Sequence, residues 1–160
     1  MPSTLLVTSA ADDGSSGTLR AVLAAAQNGD TIQFAQDLDG QTITLTQGQL
    51  AVNNSVDIAG PGANQLAISG NAASRIFAIG GGTNVTISGL TLTDGLATDG
   101  AGILNDGDLT MSKDVLLGNV AQGIADGGRG GGVENQAGAI LNVLQSLFQN
   151  NQALGGPNGG

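Results

Sequence analysis

Residues 84–95 read NVTISGLTLTDG. Val85 and Ile87 alternate with Thr86 and Ser88, Gly89 interrupts, and Leu90 to Thr93 resumes the alternation. Alternation with a period of two marks a half-buried strand, and a glycine within it marks a bend. Two short strands cannot bury a core alone, so their partners must lie elsewhere in the chain. Sliding the sequence against itself finds them. Val85, Ile87, Leu92 and Gly95 return as Leu109, Met111, Leu116 and Asn119, and a third time as Leu141, Val143, Phe148 and Asn151. GAGILN at 100–105 returns as GGGVEN at 130–135. The extra length of the later unit falls mostly in QGIADGGRG, 122–130, which has the composition of a turn.

A repeating unit of about 20 to 30 residues that holds about three short strands describes a β-solenoid. Gly89 becomes a corner, and each inward residue stacks under its counterpart one coil later at about 4.8 Å. The same period of two extends upstream through Ile32 and Phe34, Ile43 and Leu45, Leu50 and Val52, Val56 and Ile58, Leu66 and Ile68, and Ile76 and Ala78. Asn105 with Asn135, and Asn119 with Asn151, recur at turns. There they are expected to form amide ladders between coils and to use the left-handed conformation that Asn tolerates.

Composition agrees with this reading. The 160 residues are 40% hydrophobic but only 2% aromatic, and 28 are glycine. Aliphatic residues plus glycine suit stacked short strands and tight turns. The net charge is −9, with Arg20, Arg75, Lys113 and Arg129 as the cations, so nucleic acid and anionic membrane surfaces are poor partners. Cysteine and histidine are absent, which removes disulfides and the commonest general base and metal ligand. No apolar run spans a membrane, and the opening MPSTLLVTSAADDG does not read as an export signal.

The convincing helix is TLRAVLAAAQN, 18–28, with Leu19, Val22, Leu23 and Ala26 on one face. Thr18 is placed as its N-cap, and Asn28-Gly29 as its stop. Solenoid ends carry unpaired edges, and this helix stands where the first one needs a lid. Arg20 is expected to turn outward or to pair with a carboxylate. The organisation read from the sequence is therefore a cap over 1–34 (strand, capping helix 18–28, first strand) followed by coils over 35–160, truncated at the C-terminus. The fold class is an all-β, right-handed, single-stranded parallel β-helix with an N-terminal capping α-helix.

The stretch LLVTSAADDGSSGTLRAVLAAAQNGDTIQF resembles the N-terminal cap of secreted bacterial right-handed parallel β-helix proteins, and GAGILNDGDLTMSKDVLLGN resembles their repeating coil. Ala21 departs from the acidic residue common after "LR" in that family. The resemblance implies an extracellular or outer cell-surface setting and an adhesin-like or autotransporter-like module. It carries no catalytic residues over to this chain.

Three chemistries can be weighed against that. A polysaccharide lyase or glycosidase needs converging carboxylates, or a calcium-binding Asp cluster with a basic residue. The outward candidates are Asp57, Asp94, Asp99, Asp106, Asp108, Asp114 and Asp126, with Arg129 as the base. Most of them sit beside Gly or Asn, where Asp forms turns. Calcium binding would draw on Asp94, Asp99, Asp106, Asp108 or Asp126, but no calcium-loop motif is present. Ice binding needs a regular Thr-x-Thr face, whereas the equivalent outward pairs read Asp57/Ala59, Thr86/Ser88, Thr110/Ser112 and Asn142/Leu144. No catalytic, cofactor or metal residue is assigned, and no cofactor is expected. The reading that remains is a non-catalytic structural or interaction module, either self-associating through its open C-terminal end or meeting an extracellular glycan or cell-surface partner. Leu144 and Leu147, one of which is expected to point outward in the last coil, hint at a contact surface.

Overall fold

Each short alternating run becomes a strand because neighbouring coils supply the hydrogen bonds that so short a strand cannot make alone. In chain order the strands are β1 (Thr4–Val7), β2 (Thr31–Phe34), β3 (Gln41–Thr44), β4 (Leu50–Val52), β5 (Asp57–Ala59), β6 (Leu66–Ser69), β7 (Phe77–Ile79), β8 (Asn84–Ser88) and β9 (Thr91–Thr93). They continue as β10 (Leu96–Ala97), β11 (Ile103–Asn105), β12 (Asp108–Ser112), β13 (Val115–Leu117), β14 (Val120–Gln122), β15 (Val133–Asn135), β16 (Ile140–Leu144), β17 (Leu147–Gln149) and β18 (Gln152–Leu154). One α-helix, α1 (Leu19–Ala25), and one 3-10 turn, Gln36–Leu38, complete the elements. These come from a computed structural model that describes residues 1–123 and 128–155.

Every described strand pairing is parallel, and the strands stack into four sheets. Sheet 1 has the order β1-β2-β5-β8-β12-β16, sheet 2 β3-β6-β9-β13-β17, sheet 3 β4-β7-β11-β15 and sheet 4 β10-β14-β18. Each sheet takes one strand from each successive coil, which makes the chain a parallel β-solenoid. The register matches the internal repeat residue for residue. Val85 pairs with Leu109 and Leu109 with Leu141, and Leu92 lies under Leu116 and Leu116 under Phe148. Val85, Ile87, Leu92, Leu109, Met111 and Leu116 are fully buried. One continuous column of aliphatic side chains therefore runs along the axis, fed by sheets 1 to 3.

Two details differ from the sequence reading. Later coils contain four strands rather than three, because GLA at 95–97, NVA at 119–121 and NQA at 151–153 add sheet 4. These runs are too short to show a period by themselves. In β7 the inward residues are Phe77 and Ile79, with Ala78 facing out. Ile76 is also buried, but at the corner that precedes the strand, so the phase slips by one.

The corners explain where left-handed residues fall. Gly89, Lys113 and Gln145 occupy one corner of three successive coils, with φ of 64°, 59° and 50°. Asp94, Gly118 and Asn150 occupy the next, with φ of 53°, 66° and 56°. Gly89 is required for space rather than for φ, since Lys113 and Gln145 adopt the same conformation. A Cβ on Gly89 would lie 2.9 Å from the Gly60 carbonyl oxygen. The ladder asparagines Asn105 and Asn119 are not left-handed, contrary to expectation. Their value is in their side chains. Asn105 Nδ2 donates to Asn135 Oδ1 at 2.6 Å, and Asn119 Nδ2 donates to Asn151 Oδ1 at 2.9 Å. Asn119 is wholly buried, and its Oδ1 accepts from the Gly95 amide while its Nδ2 also reaches the Leu92 carbonyl.

The helix caps the first coil as its pattern requires. Thr18 is the N-cap, its side chain accepting from the Ala21 amide at 3.3 Å. Leu19, Leu23 and Ala26 are buried, and α1 packs on β1 and on β4, the N-terminal strand of sheet 3. The helix ends at Ala25, short of the expected Asn28. Ala26 turns extended, the Asp30 carboxylate accepts from the Gln27 amide, and Asn28 Oδ1 accepts from Ser55 N in the second coil. Among the described residues no helix is long and apolar enough to cross a membrane.

Asn119→Ala is expected to lower unfolding stability by about 2 kcal/mol, because the Gly95 amide would be left buried without an acceptor. The exposed Asn142→Ala should change it by less than about 0.5 kcal/mol. Urea denaturation of both variants checks the contrast.

Candidate functional site

The chemistry-bearing side chains divide into those built into coil junctions and those spread over the exterior. Asp12 belongs to the first group. It lies in the loop before α1, with its side chain almost fully buried. Its Oδ1 and Oδ2 accept from Arg20 Nε and Nη2 at 2.8 and 2.9 Å. Oδ2 also accepts from the amides of Thr46 and Gln47, at the corner after β3. Arg20 meanwhile donates to the carbonyls of Gly48 and Gln49. One ion pair thus ties the loop, the helix and the β3–β4 corner of the first coil together. Burial acts to raise the Asp12 pKa, but the Arg20 hydrogen bond, the two amides and the Arg20 charge outweigh it, so the carboxyl sits below its ordinary value.

Asp30 performs a parallel task at the other end of the cap. Its oxygens accept from the amides of Gln27 and Ser3 at 2.8 and 2.7 Å, and these bonds lower its pKa. Arg75 joins further coils, donating to the carbonyls of Asp99 and Gly100 and to Gln49 Oε1.

Asp114 corrects the expectation that it points outward. It is 1% exposed, because it follows the left-handed corner at Lys113 and turns inward. Its oxygens accept from the amides of Leu90 in the coil below and of Ser112 in its own coil. Its own amide donates to Ser146 Oγ in the coil above. Leu90, Asp114 and Ser146 form one corner column in which a side chain of each later coil accepts from the coil before it. Burial dominates here and pushes the Asp114 carboxyl up to about 6, against the two amide hydrogen bonds that lower it.

The remaining acidic candidates among the described residues do not converge. Asp57 faces out from β5, Asp94 occupies a left-handed corner, and Asp106 and Asp108 flank Gly107 in the turn into β12. Asp99 Oδ1 accepts from the Arg129 amide, so these two residues meet, but through the backbone of Arg129. Asp126 lies outside the described residues. Among the described residues no three acidic side chains gather as a metal site would require. No described buried side-chain nitrogen or oxygen lacks a hydrogen-bond partner either.

The outward columns of sheet 1 run Asp57, Thr86, Thr110, Asn142 and Ala59, Ser88, Ser112, Leu144, as the repeat implied. A regular Thr-x-Thr face is not formed. A shallow groove of about 290 Å³ lies between α1 and β4, lined by Arg20, Leu23, Gln49, Leu50, Asn53 and Asn54 among others. Its lining holds no carboxylate, and its guanidinium is committed to Asp12 and to backbone carbonyls.

The described side chains thus define a solenoid scaffold whose buried ionisable groups hold coils together rather than a convergent reaction centre. No family model, curated protein or solved structure matches the chain. The sequence marked the carboxylates by type but not by role. The structural roles of Asp12 and Asp30 escaped notice because their acceptor geometry depends on amides up to 35 residues away.

Opposed pKa shifts give stability a defined pH profile. Asp12 and Asp30 have lowered pKa values, so their contribution is present above the ordinary aspartate value of about 4 and is lost as pH falls below it. Asp114 has a raised pKa, so its contribution is present below about 4 and is lost as pH rises through about 6. Melting temperature is therefore expected to peak at about pH 4 to 5. In Asp114→Asn the decline between about pH 4 and 7 should flatten, whereas Asp12→Asn should lower stability by about 2 kcal/mol at neutral pH. Thermal melts across pH check both expectations.

Proposed function

We propose that the chain is a non-catalytic structural and interaction module of a secreted or cell-surface bacterial protein, an adhesin-like β-helix segment that self-associates through its open C-terminal end. The observation that carries this is the distribution of exposed apolar side chains. Apart from Met1 and Leu6, every large apolar side chain that is exposed among the described residues lies in the last coil: Ile140, Val143, Leu144, Leu147, Phe148 and Leu154. Soluble surfaces rarely gather such residues unless something covers them. Strands β15 to β18 also end their sheets, so their outer edges are templates for further pairing. The surface setting rests on the resemblance of the cap and coil motifs to secreted bacterial β-helices.

Light scattering is expected to show association that grows with concentration, and a 15.6 kDa monomer at all concentrations would remove it. Incubation with acidic polysaccharides, with and without calcium, is expected to give no cleavage and no change in melting temperature. Calcium-dependent cleavage would establish the alternative, a polysaccharide lyase-like or glycosidase-like β-helix. Saturable glycan binding without cleavage would leave an adhesive module whose partner is a glycan.

A further inference from the structure

The corner between sheets 1 and 2 is filled by Leu90, Asp114 and Ser146 in three successive coils, and of these three Asp114 alone is ionisable. It is wholly buried, yet among the described residues no cation is bonded to it. Lys113 precedes it in the chain but is exposed, and Asp94 stands at the following corner of the coil below. The strands around it add no countercharge. β8 and β9 below and β16 and β17 above contain no ionisable side chain, nor does the 60–65 corner, and β12 and β13 contribute Asp108 at the far end of β12. A buried carboxylate without a cation has lost its hydration and gains free energy whenever water reaches it. The coil above covers it. Ser146 Oγ accepts from the Asp114 amide, the Leu147 amide donates to the Asp114 carbonyl, and β17 lies over β13. No described strand lies above β16, β17 or β18, so among the described residues these three are held from one side. A solenoid coil contacts its neighbours alone, and such a coil can open while those below stay folded.

We propose that Asp114 is a latch that couples protonation to closure of the coil above it, β16 to β18. Protonated, the carboxyl tolerates burial and the coil stays closed. Ionised, it draws water into the corner and favours a state in which β16 to β18 lift from β12 to β14. The carboxyl sits at about 6 when closed and near the ordinary aspartate value of about 4 once hydrated. Closure is therefore strongest below about pH 4 and weakens as pH rises through about 6. Opening uncovers the edges of β12, β13 and β14 and the inward Leu109, Met111 and Leu116. Acidity thus sets how many rungs the stack keeps closed. The effect lies in one junction rather than in unfolding of the whole chain, and it does not depend on self-association.

Amide hydrogen exchange of the full chain, followed by NMR with each rate referred to the unstructured rate at the same pH, tests the latch. The junction amides of Lys113, Gly118 and Leu147 bond to the carbonyls of Leu144, Gln149 and Asp114. They are expected to share one level of protection, below that of Leu45 and Gly60 in the lower coils, which bond to Ser69 and Ser88. That level should fall about tenfold between about pH 5 and about pH 7.5, and stay within about twofold in Asp114→Asn. Carbon-13 titration of the wild-type Asp114 carboxyl supplies a second readout that needs no variant, with a midpoint expected at about 6. Junction amides as well protected as Leu45 and Gly60 at both pH values would overturn the latch and confine Asp114 to whole-chain stability. An unchanged wild-type level, the same fall in Asp114→Asn, or a carboxyl that titrates at the ordinary aspartate value would overturn it as well.

Discussion

The structure depends on one constraint, that each coil must repeat the register of the coil beneath it. A short parallel strand has little stability alone, and it holds only because strands of neighbouring coils pair with it. Register then propagates. Once Val85 lies under Leu109, the backbone repeat brings Ile87 under Met111 and sends Thr86 and Ser88 outward with Thr110 and Ser112. A slip of one residue would reverse the faces of a whole coil and expose its aliphatic column. The glycine at 89, packed on the Gly60 carbonyl, and the left-handed residues at the corners keep turn length compatible with that register.

The polar interior follows from the same geometry. Corners bring backbone amides out of the sheets, and those amides need acceptors within a buried stack. Asn119 and Asp114 supply them from the next coil, while Asn105 accepts from the Gly107 amide of its own coil and donates to Asn135 in the next, so the columns of hydrogen bonds run along the axis as the aliphatic columns do. Asp114 differs from the asparagines in carrying a charge where an amide or hydroxyl would suffice, and burial raises its pKa accordingly. At the N-terminal end the same problem is met with fixed charge. Asp12, held by Arg20 and two amides, and Asp30, held by two amides, fasten the helix over the first coils.

That arrangement limits where function can reside. Buried ionisable groups are committed to junctions, and the exposed aspartates are dispersed over separate corners and faces. The N-terminal coil presents a helix fastened by the Asp12 and Asp30 carboxylates, whereas the last described coil presents three outward aliphatic side chains. The described part of the molecule is therefore polarised from end to end.

Much of this was legible in the linear sequence. The recurrence of Val85 as Leu109 and Leu141 located the coils, the period of two assigned inward and outward faces, and Thr18 with Leu19 and Leu23 located the capping helix. These features are local or periodic, and stacking merely copies them, so composition and spacing suffice to read them. Tertiary structure alone decided the rest. Sheet 4 rests on very short strands that acquire identity only from neighbours above and below. Asp114 is buried because Leu90, far earlier in the chain, presents an amide to it, and Asp12 becomes a latch only when Thr46 and Gln47 are folded against it. Whether a carboxylate is a turn former, a strut or a reactive group depends on which distant amides and charges surround it, and that is set by packing across coils rather than by neighbours along the chain.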